Sequence, residues 1–171
     1  MIDYSKPEYK TMFANYGLTM LSAQGLEKML LVLIAAVYTL NKKFDSVQSL
    51  YLTIYGYNEE TLGQLIRKVE KIIEIPETIV ADLSKAQKER NYLAHHFFLD
   101  LSALEHRMEF PDQLNFQMKS MKALFDRLSS EINNVIGLLL KHLDPVSYDT
   151  ERERLMTVLK PIAKEEKKPR R

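Results

Sequence analysis

The sequence predicts a soluble all-α protein, and three observations lead to that prediction. Apolar residues recur at intervals of three and four along most of the chain, which is the spacing of one helix face. The 5 glycines include none in an Asn-Gly or Asp-Gly pair, so the usual signals of a β-hairpin are missing. Prolines stand between the periodic segments, where their fixed φ and missing N–H are tolerated. We therefore expect a bundle of four to five helices with up-and-down topology.

The periodic segments give the bounds of these helices. The first is expected over 7–40, and its second half is apolar nearly all round, as in a helix packed on several sides. Further helices are expected over 59–73, 77–98 and 113–143, with a bend over 99–111 and a short last helix near 149–159. Residues 44–58 mix alternating and helical patterns, which predicts an irregular or short helical connection.

Length and composition bound the domain organisation and the partners. The 171 residues suit one domain, which we assign to residues 1–162, and the charged tail 163–171 has no apolar stripe and is predicted to be disordered. The 24 basic and 23 acidic residues give a net charge of +1, so any nucleic-acid site must be local. The chain has no cysteine, which excludes disulfides, thiol nucleophiles and cysteine-based zinc sites.

The apolar run from Met29 to Tyr38 bears on localisation. It is about half of the ~20 residues needed to span a bilayer, and it begins too far into the chain for a signal peptide. We expect a buried helix there, no membrane association and a cytoplasmic protein.

The third predicted helix contains one departure from its own pattern. The apolar stripe of this helix comprises Ile79, Leu83, Ala86, Leu93 and Phe97. Arg90 occupies a position in that stripe. A guanidinium is costly there unless it is paired or opens onto a cleft, and such breaches of local rules tend to mark function.

Two polar residues stand beside Arg90 on the same helix. Asn91 and His95 are four residues apart, so they lie about 40° apart around the helix axis. An imidazole moves protons near neutral pH, and a guanidinium offers a planar fork of donors to phosphate oxygens. Together with an amide, these groups have the parts for phosphodiester cleavage without a metal ion.

The segment Arg90-Asn91-Tyr92-Leu93-Ala94-His95 resembles the motif of the HEPN family (higher eukaryotes and prokaryotes nucleotide-binding). That all-helical family is marked by an Arg, four to six intervening residues and a His, commonly with a polar residue directly after the Arg. The order of helices is similar as well, so the resemblance covers most of residues 10–143, although only the motif is sharp.

The resemblance implies a homodimer in which the motifs of two chains form one composite site. Active members cut single-stranded or loop RNA independently of metal, use the ribose 2′-hydroxyl as nucleophile, and often serve as toxins or in defence against phage. The catalytic residues would be Arg90, Asn91 and His95, with no cofactor and no metal. Glu27 would correspond to an acidic residue that some members place near the motif, and His96 is a secondary candidate. An antitoxin or nucleotidyltransferase is the implied partner.

One position departs from the family pattern. Many members that are silenced by a partner nucleotidyltransferase carry a Tyr two residues after the motif His, where this chain has Phe97. This difference argues against control of the protein by a nucleotidyltransferase that modifies it. It does not bear on RNA cleavage itself.

Plainer interpretations remain open at this point. Arg90 can be a buried ion pair, with Glu27 as its partner, that holds two helices in register. His96 is about 100° from His95 around the helix, so a metal shared by the two is not expected. The alternative function is a non-catalytic HEPN-like dimer that binds a nucleotide or a protein, and a third is a scaffold or immunity-type partner protein.

Overall fold

The computed structural model describes residues 6–41, 56–57, 60–103 and 110–143, and these residues form an all-α structure. Five helices are observed in this part of the chain, and it contains no strand. They are α1 (Pro7–Leu40), α2 (Leu62–Ile72), α3 (Glu77–His95), α4 (Phe97–Ala103) and α5 (Phe110–Leu143).

Helix α1 is the central helix, and it agrees with the bounds expected from the sequence. Pro7 stands at its start, where a missing backbone N–H is tolerated, and the N–H of Asn41 donates to the Val37 carbonyl (3.1 Å) at its end. Its second half is buried almost all round, because α2, α3 and α5 pack on it from different sides. The α1–α5 contact is the most extensive in the fold.

Side-chain contacts give the direction of each long helix. Asn15 Nδ2 donates to Asn115 Oδ1 (2.8 Å), and the Thr19 hydroxyl lies 3.2 Å from the Met118 carbonyl, so α1 and α5 are parallel. Helix α3 is antiparallel to both, because its end lies beside the first half of α1.

Helices α2 and α3 form an antiparallel hairpin around Pro76. Gly63 faces α3, where a Cβ atom would meet the side-chain amide of Gln87 and displace it. The up-and-down order therefore applies to α2 and α3, whereas α1 and α2 run in the same direction. Residues 42–55 and 58–59, which lie between α1 and α2, are outside the described residues.

Two helix boundaries differ from expectation for local reasons. Helix α2 begins three residues late, because the Thr61 N–H donates to Gln64 Oε1 (2.7 Å) and fixes the first turn there. Helix α5 begins three residues early, with Pro111 as its second residue, a position that needs no backbone N–H. The expected connection at 44–58 lies outside the described residues except at 56–57, and the expected last helix at 149–159 and tail at 163–171 lie wholly outside them.

The expected single helix over 77–98 is interrupted, which corrects the sequence-based interpretation. Helix α3 ends at His95, His96 forms a turn, and α4 begins at Phe97. The bend was expected only after residue 98. The interruption therefore falls directly after the polar motif, at His96.

Helix α1 is also the one described helix that is long and apolar enough to cross a membrane by length and composition. Half of its most apolar window (50%) is buried inside the fold, and the core helix of a soluble protein meets the same criterion. In this structure many of its apolar side chains pack on the other helices, whereas Leu18, Leu21 and Val32 are exposed.

Candidate functional site

Arg90 occupies the core-facing side of α3, as the stripe predicts, and it is paired. Its Nε donates to Glu27 Oε1 across 3.0 Å, which joins the middle of α1 to the last two turns of α3. The side chains retain 24% (Arg90) and 18% (Glu27) of their accessible surface, so this is a half-buried ion pair at the edge of the core. The terminal nitrogens Nη1 and Nη2 take no part in that bond.

Asn91 and His95 lie on the solvent side of α3. They follow Arg90 by about 100° and 140° around the helix, given 3.6 residues per turn, and both are exposed. Neither side chain has a hydrogen-bond or ion-pair partner within the described part of the chain. A single chain therefore places the amide and the imidazole on one open face and the guanidinium on the core-facing side of the same helix.

Tyr16 of α1 contacts the C-terminal end of the motif. Its hydroxyl donates to the carbonyl of Leu93 (3.2 Å), one of the last-turn carbonyls that lose their helical partner where α3 ends. Its ring stacks on Phe97 with centroids 4.5 Å apart. Tyr16 therefore contacts both helices that meet at His96.

Tyr92 connects α3 with α4. Burial, assisted by a hydrogen bond from its hydroxyl to Asp100, raises the pKa of Tyr92 to about 12. The hydroxyl therefore stays protonated at every physiological pH and keeps donating to the carboxylate. This bond joins the last turn of α3 to the first turn of α4.

His96 does not join His95. It is exposed at the turn between the two helices, where its N–H donates to the Tyr92 carbonyl (2.8 Å) and its carbonyl accepts from the Asp100 N–H (2.9 Å). The backbone of His96 thus makes a hydrogen bond at the end of α3 and another at the start of α4. The side chain contributes nothing to this arrangement.

An aromatic cluster surrounds the end of the motif. It consists of Phe13, Tyr16, Phe97 and Phe98. Phe97 is fully buried, whereas Phe98 packs edge-on against Tyr16 and remains 53% exposed. The next residue, Leu99, is 63% exposed, so an apolar surface directly follows the polar motif.

A small open cleft of about 190 Å³ adjoins the ion pair on the α1–α2 side. Glu27 lines it together with Gln24 and Lys28 of α1, and the ring of Tyr57 forms its far wall. Lys68 lies over that ring (3.5 Å to the centroid) and also pairs with Glu60. The cleft thus contains an amide, an ammonium group, carboxylates and an aromatic face beside the guanidinium.

Glu89, directly before Arg90, is a further ionisable group that sequence reasoning missed. Burial raises the pKa of this carboxyl, and Lys85, 3.8 Å away, opposes the shift. One carboxylate oxygen, Oε2, is buried without a hydrogen-bond partner. Glu89 lies about 120° from His95 around the helix, so the two do not share a face. A glutamate beside an arginine in a helix gives no signal of this burial.

The described residues contain no group of three or more His, Asp or Glu side chains arranged to hold a metal ion.

Comparisons with known proteins give no family assignment. No family model matches the chain, and neither a curated protein nor a solved structure matches it significantly.

Proposed function

We propose that this chain is an endoribonuclease of the HEPN type that acts as a homodimer and cuts single-stranded or loop RNA without a metal ion. The observation that carries the proposal is the guanidinium of Arg90. It occupies a core position of α3 and pairs there with Glu27, and Asn91 and His95 follow it on the exposed side of the same helix. The type of reaction is the one that the resemblance of the motif to the HEPN family implies.

In this reaction the ribose 2′-hydroxyl attacks the adjacent phosphorus, and the bond from phosphorus to the 5′ oxygen breaks. His95 takes the proton from the 2′-hydroxyl or returns one to the leaving 5′ oxygen. Arg90 stabilises the charge that builds on the phosphorane-like oxygens, and Asn91 positions the phosphate. The products are a 2′,3′-cyclic phosphate and a 5′-hydroxyl, and the need for a 2′-hydroxyl restricts the substrate to RNA.

The Glu27–Arg90 pair supports this role for Arg90. Glu27 binds through Nε, so it fixes the plane of the guanidinium while Nη1 and Nη2 remain for a phosphate. A fixed charge costs little reorganisation during the reaction, which is what electrostatic stabilisation of a transition state requires.

The exposure of the motif supports a dimer. One copy presents Asn91 and His95 on an open face. Such a face does not exclude water, and it does not bring a second set of catalytic groups to the same phosphate. Phe98 and Leu99 follow the motif with more than half of their surface exposed. A second copy placed on this surface would bury both residues and bring its own motif to the first.

The alternative is a non-catalytic HEPN-like dimer that binds a nucleotide or a protein. The half-buried ion pair favours it, because the same contact also serves to hold α1 and α3 in register. The cleft beside Glu27, with Tyr57 as an aromatic wall, is a place for a nucleotide base in this case.

Incubation of the purified protein with mixed RNAs in excess chelator distinguishes the two. We expect cut RNA with 2′,3′-cyclic phosphate ends from the native protein. His95→Ala removes an exposed imidazole and should abolish cleavage with no change in melting temperature. His96→Ala is the matched control, since it removes the neighbouring exposed imidazole and should leave the rate unchanged.

Arg90→Ala should also abolish cleavage, and Asn91→Ala should lower it. Cleavage retained in both Arg90→Ala and His95→Ala would refute the nuclease. Intact RNA combined with a nucleotide-dependent rise in melting temperature would support the binding module.

The same proposal places the protein in the cytoplasm as a toxin or defence effector, with an antitoxin as partner. Growth arrest on expression of the native chain, absent with His95→Ala, would support it. Equal growth of both strains would contradict it.

A further inference from the structure

Lys88 is a charged side chain on the face of α3 that bears Asn91 and His95. It lies seven residues before His95, which puts it about 20° from His95 around the helix and about 10 Å away along the axis. Ser84 lies one turn earlier on the same face. All four side chains are exposed, and we call this row, Ser84, Lys88, Asn91 and His95, the motif strip.

Lys88 is unpaired, in contrast to the other lysine in this part of α3. It has no hydrogen bond and no ion pair within the described part of the chain. Lys85 lies about 60° from Lys88 around the helix, and its Nζ is 3.8 Å from Oε1 of Glu89. A carboxylate thus lies beside the charge of Lys85, whereas the charge of Lys88 is available to a ligand.

Arg67 of α2 is a second unpaired cation beside the motif strip. Gly63 of α2 faces Gln87 of α3, and Arg67 follows Gly63 by one turn on the same side of α2. Because α2 and α3 are antiparallel, Arg67 lies about one turn further from the motif than Lys88. It is exposed, and it has no hydrogen-bond or ion-pair partner among the residues that the structure describes.

The charge around these two cations is locally positive. The motif strip itself contains no carboxylate. The exposed carboxylates of the α2–α3 hairpin lie towards its turn, and they are Glu70, Glu74 and Glu77. Glu77 has the same angular position as His95, but it lies eighteen residues earlier, about 27 Å away along the helix. The part of the hairpin next to the motif therefore favours an anionic ligand, although the whole chain has a net charge of only +1.

A nuclease needs contacts beyond the phosphate that it cleaves. Cationic side chains that follow the backbone supply most of the sequence-independent affinity for a nucleic acid, and they position the strand. Lys88 and His95 are two helical turns apart, so they are placed for different phosphates of one strand. Arg67 continues the same line beyond Lys88.

We propose that Lys88 and Arg67 bind phosphates that flank the cleaved bond, so that single-stranded RNA lies along the motif strip. This inference rests on the proposed nuclease and gives its substrate a position and a direction away from His95. Phe98 lies beyond the other end of the strip, where it stacks on Phe13. A second copy that covers Phe98 therefore leaves Lys88 and Arg67 accessible.

Binding can be measured without cleavage in the His95→Ala protein, which lacks the imidazole. A labelled single-stranded RNA of mixed sequence, titrated in excess chelator and followed by fluorescence anisotropy, gives the affinity at several salt concentrations. Adding Lys88→Ala or Arg67→Ala should weaken binding several-fold. Each should also reduce the slope of log affinity against log salt by about 0.7, the value for one phosphate contact with a single strand. Adding Lys85→Ala instead should change neither quantity.

The cleavage assay gives a second readout. Lys88→Ala in the otherwise native protein should raise KM several-fold and leave kcat unchanged, because Lys88 contacts a phosphate that does not react. Equal affinity and equal salt slope in the Lys88→Ala and Lys85→Ala proteins would overturn the proposal, as would an unchanged KM. The nuclease fails separately: RNA that binds through Lys88 and Arg67 but is not cut by the native protein would refute cleavage and retain the phosphate contacts.

Discussion

Arg90 combines two roles that a single substitution does not separate. Removal of either member of the pair leaves the other charge half-buried without a counter-ion, so Glu27→Leu should lower the free energy of unfolding by about 1–2 kcal/mol. This is less than the roughly 3–5 kcal/mol typical of fully buried pairs, because both side chains retain some solvent. Glu27→Leu/Arg90→Leu should recover most of the loss in urea unfolding, since two apolar side chains fill the same space.

The double variant also separates the structural role of the ion pair from the catalytic role of Arg90. If Arg90 acts on the phosphate, Glu27→Leu/Arg90→Leu is stable and inactive. A stable double variant that still cleaves RNA would make the pair purely structural. A double variant no more stable than Glu27→Leu would contradict the description of the pair as a replaceable contact.

Glu89 predicts a pH dependence of stability. Burial raises the pKa of its carboxyl in the folded protein above 4.5, the ordinary value, so the folded state favours the protonated form. The stabilisation from this group is present below the unfolded pKa and is lost as pH rises through the folded one. Glu89→Gln should therefore be more stable than the native protein at pH 7.

The gain from Glu89→Gln should shrink as the pH falls through the raised pKa of the folded state, and it should be lost below about 4.5, because the native carboxyl is then neutral as well. Thermal unfolding of both proteins from pH 4 to pH 7 measures the difference. Glu70→Gln, at an exposed position, is the control and should show no such trend. A gain that is constant across the range would contradict the assignment.

Among the elements, the junction of α3 and α4 depends on Tyr16. Tyr16→Phe keeps the ring that stacks on Phe97 and removes only the hydroxyl that donates to the Leu93 carbonyl. We expect a loss of about 0.5–1.5 kcal/mol, the usual value of one hydrogen bond. Hydrogen exchange should increase in the last turn of α3 and in α4, while α2 is unaffected.

Tyr16→Leu serves as the comparison because it removes both the stacking and the hydrogen bond. Its effect on unfolding should exceed that of Tyr16→Phe. Unchanged exchange at the junction in Tyr16→Phe would mean that the Leu93 carbonyl is satisfied by water and that the stacking alone fixes the two helices.

The sequence predicted the long helices well because each has a strong apolar period. The bounds of α1 are confirmed, and the α3 stripe placed Arg90 correctly on the core side, where its predicted ion pair with Glu27 is observed. The apolar spacing did not predict the break at His96, because Phe97 continues the apolar stripe on the other side of the break. The interruption depends on Tyr16 and Asp100, and contacts between helices leave no mark on the local pattern.

The site was predictable only in part. Spacing gave the angular positions of Asn91 and His95 relative to Arg90, which depend on helix geometry alone. The burial of Glu89 and the cleft beside Glu27 depend on how α2 and α5 pack, and no single helix encodes that. The mapping of Glu27 to the motif rests on the resemblance and stays a prediction, and the 3.0 Å contact shows that Glu27 pairs with Arg90.

At the scale of the whole molecule, we predict that the exposed surface at Leu99 forms the homodimer interface. Leu99 is 63% exposed directly after the motif, so Leu99→Glu should cost the single chain little. Buried against the same surface of a second copy, two glutamates would repel each other and lose their water. We therefore expect Leu99→Glu to be a folded monomer in sedimentation velocity experiments, with RNA cleavage lost, and we expect the native protein to be a dimer in the same experiment.

Val32→Glu is the matched control for that experiment. It also puts a glutamate at an exposed apolar position, but on α1 about 24 Å along the helix from Tyr16, which contacts Phe98. It should remain dimeric and active. A monomeric native protein that cleaves RNA would show that one motif is sufficient, and a Leu99→Glu protein that is dimeric and active would place the interface on another face.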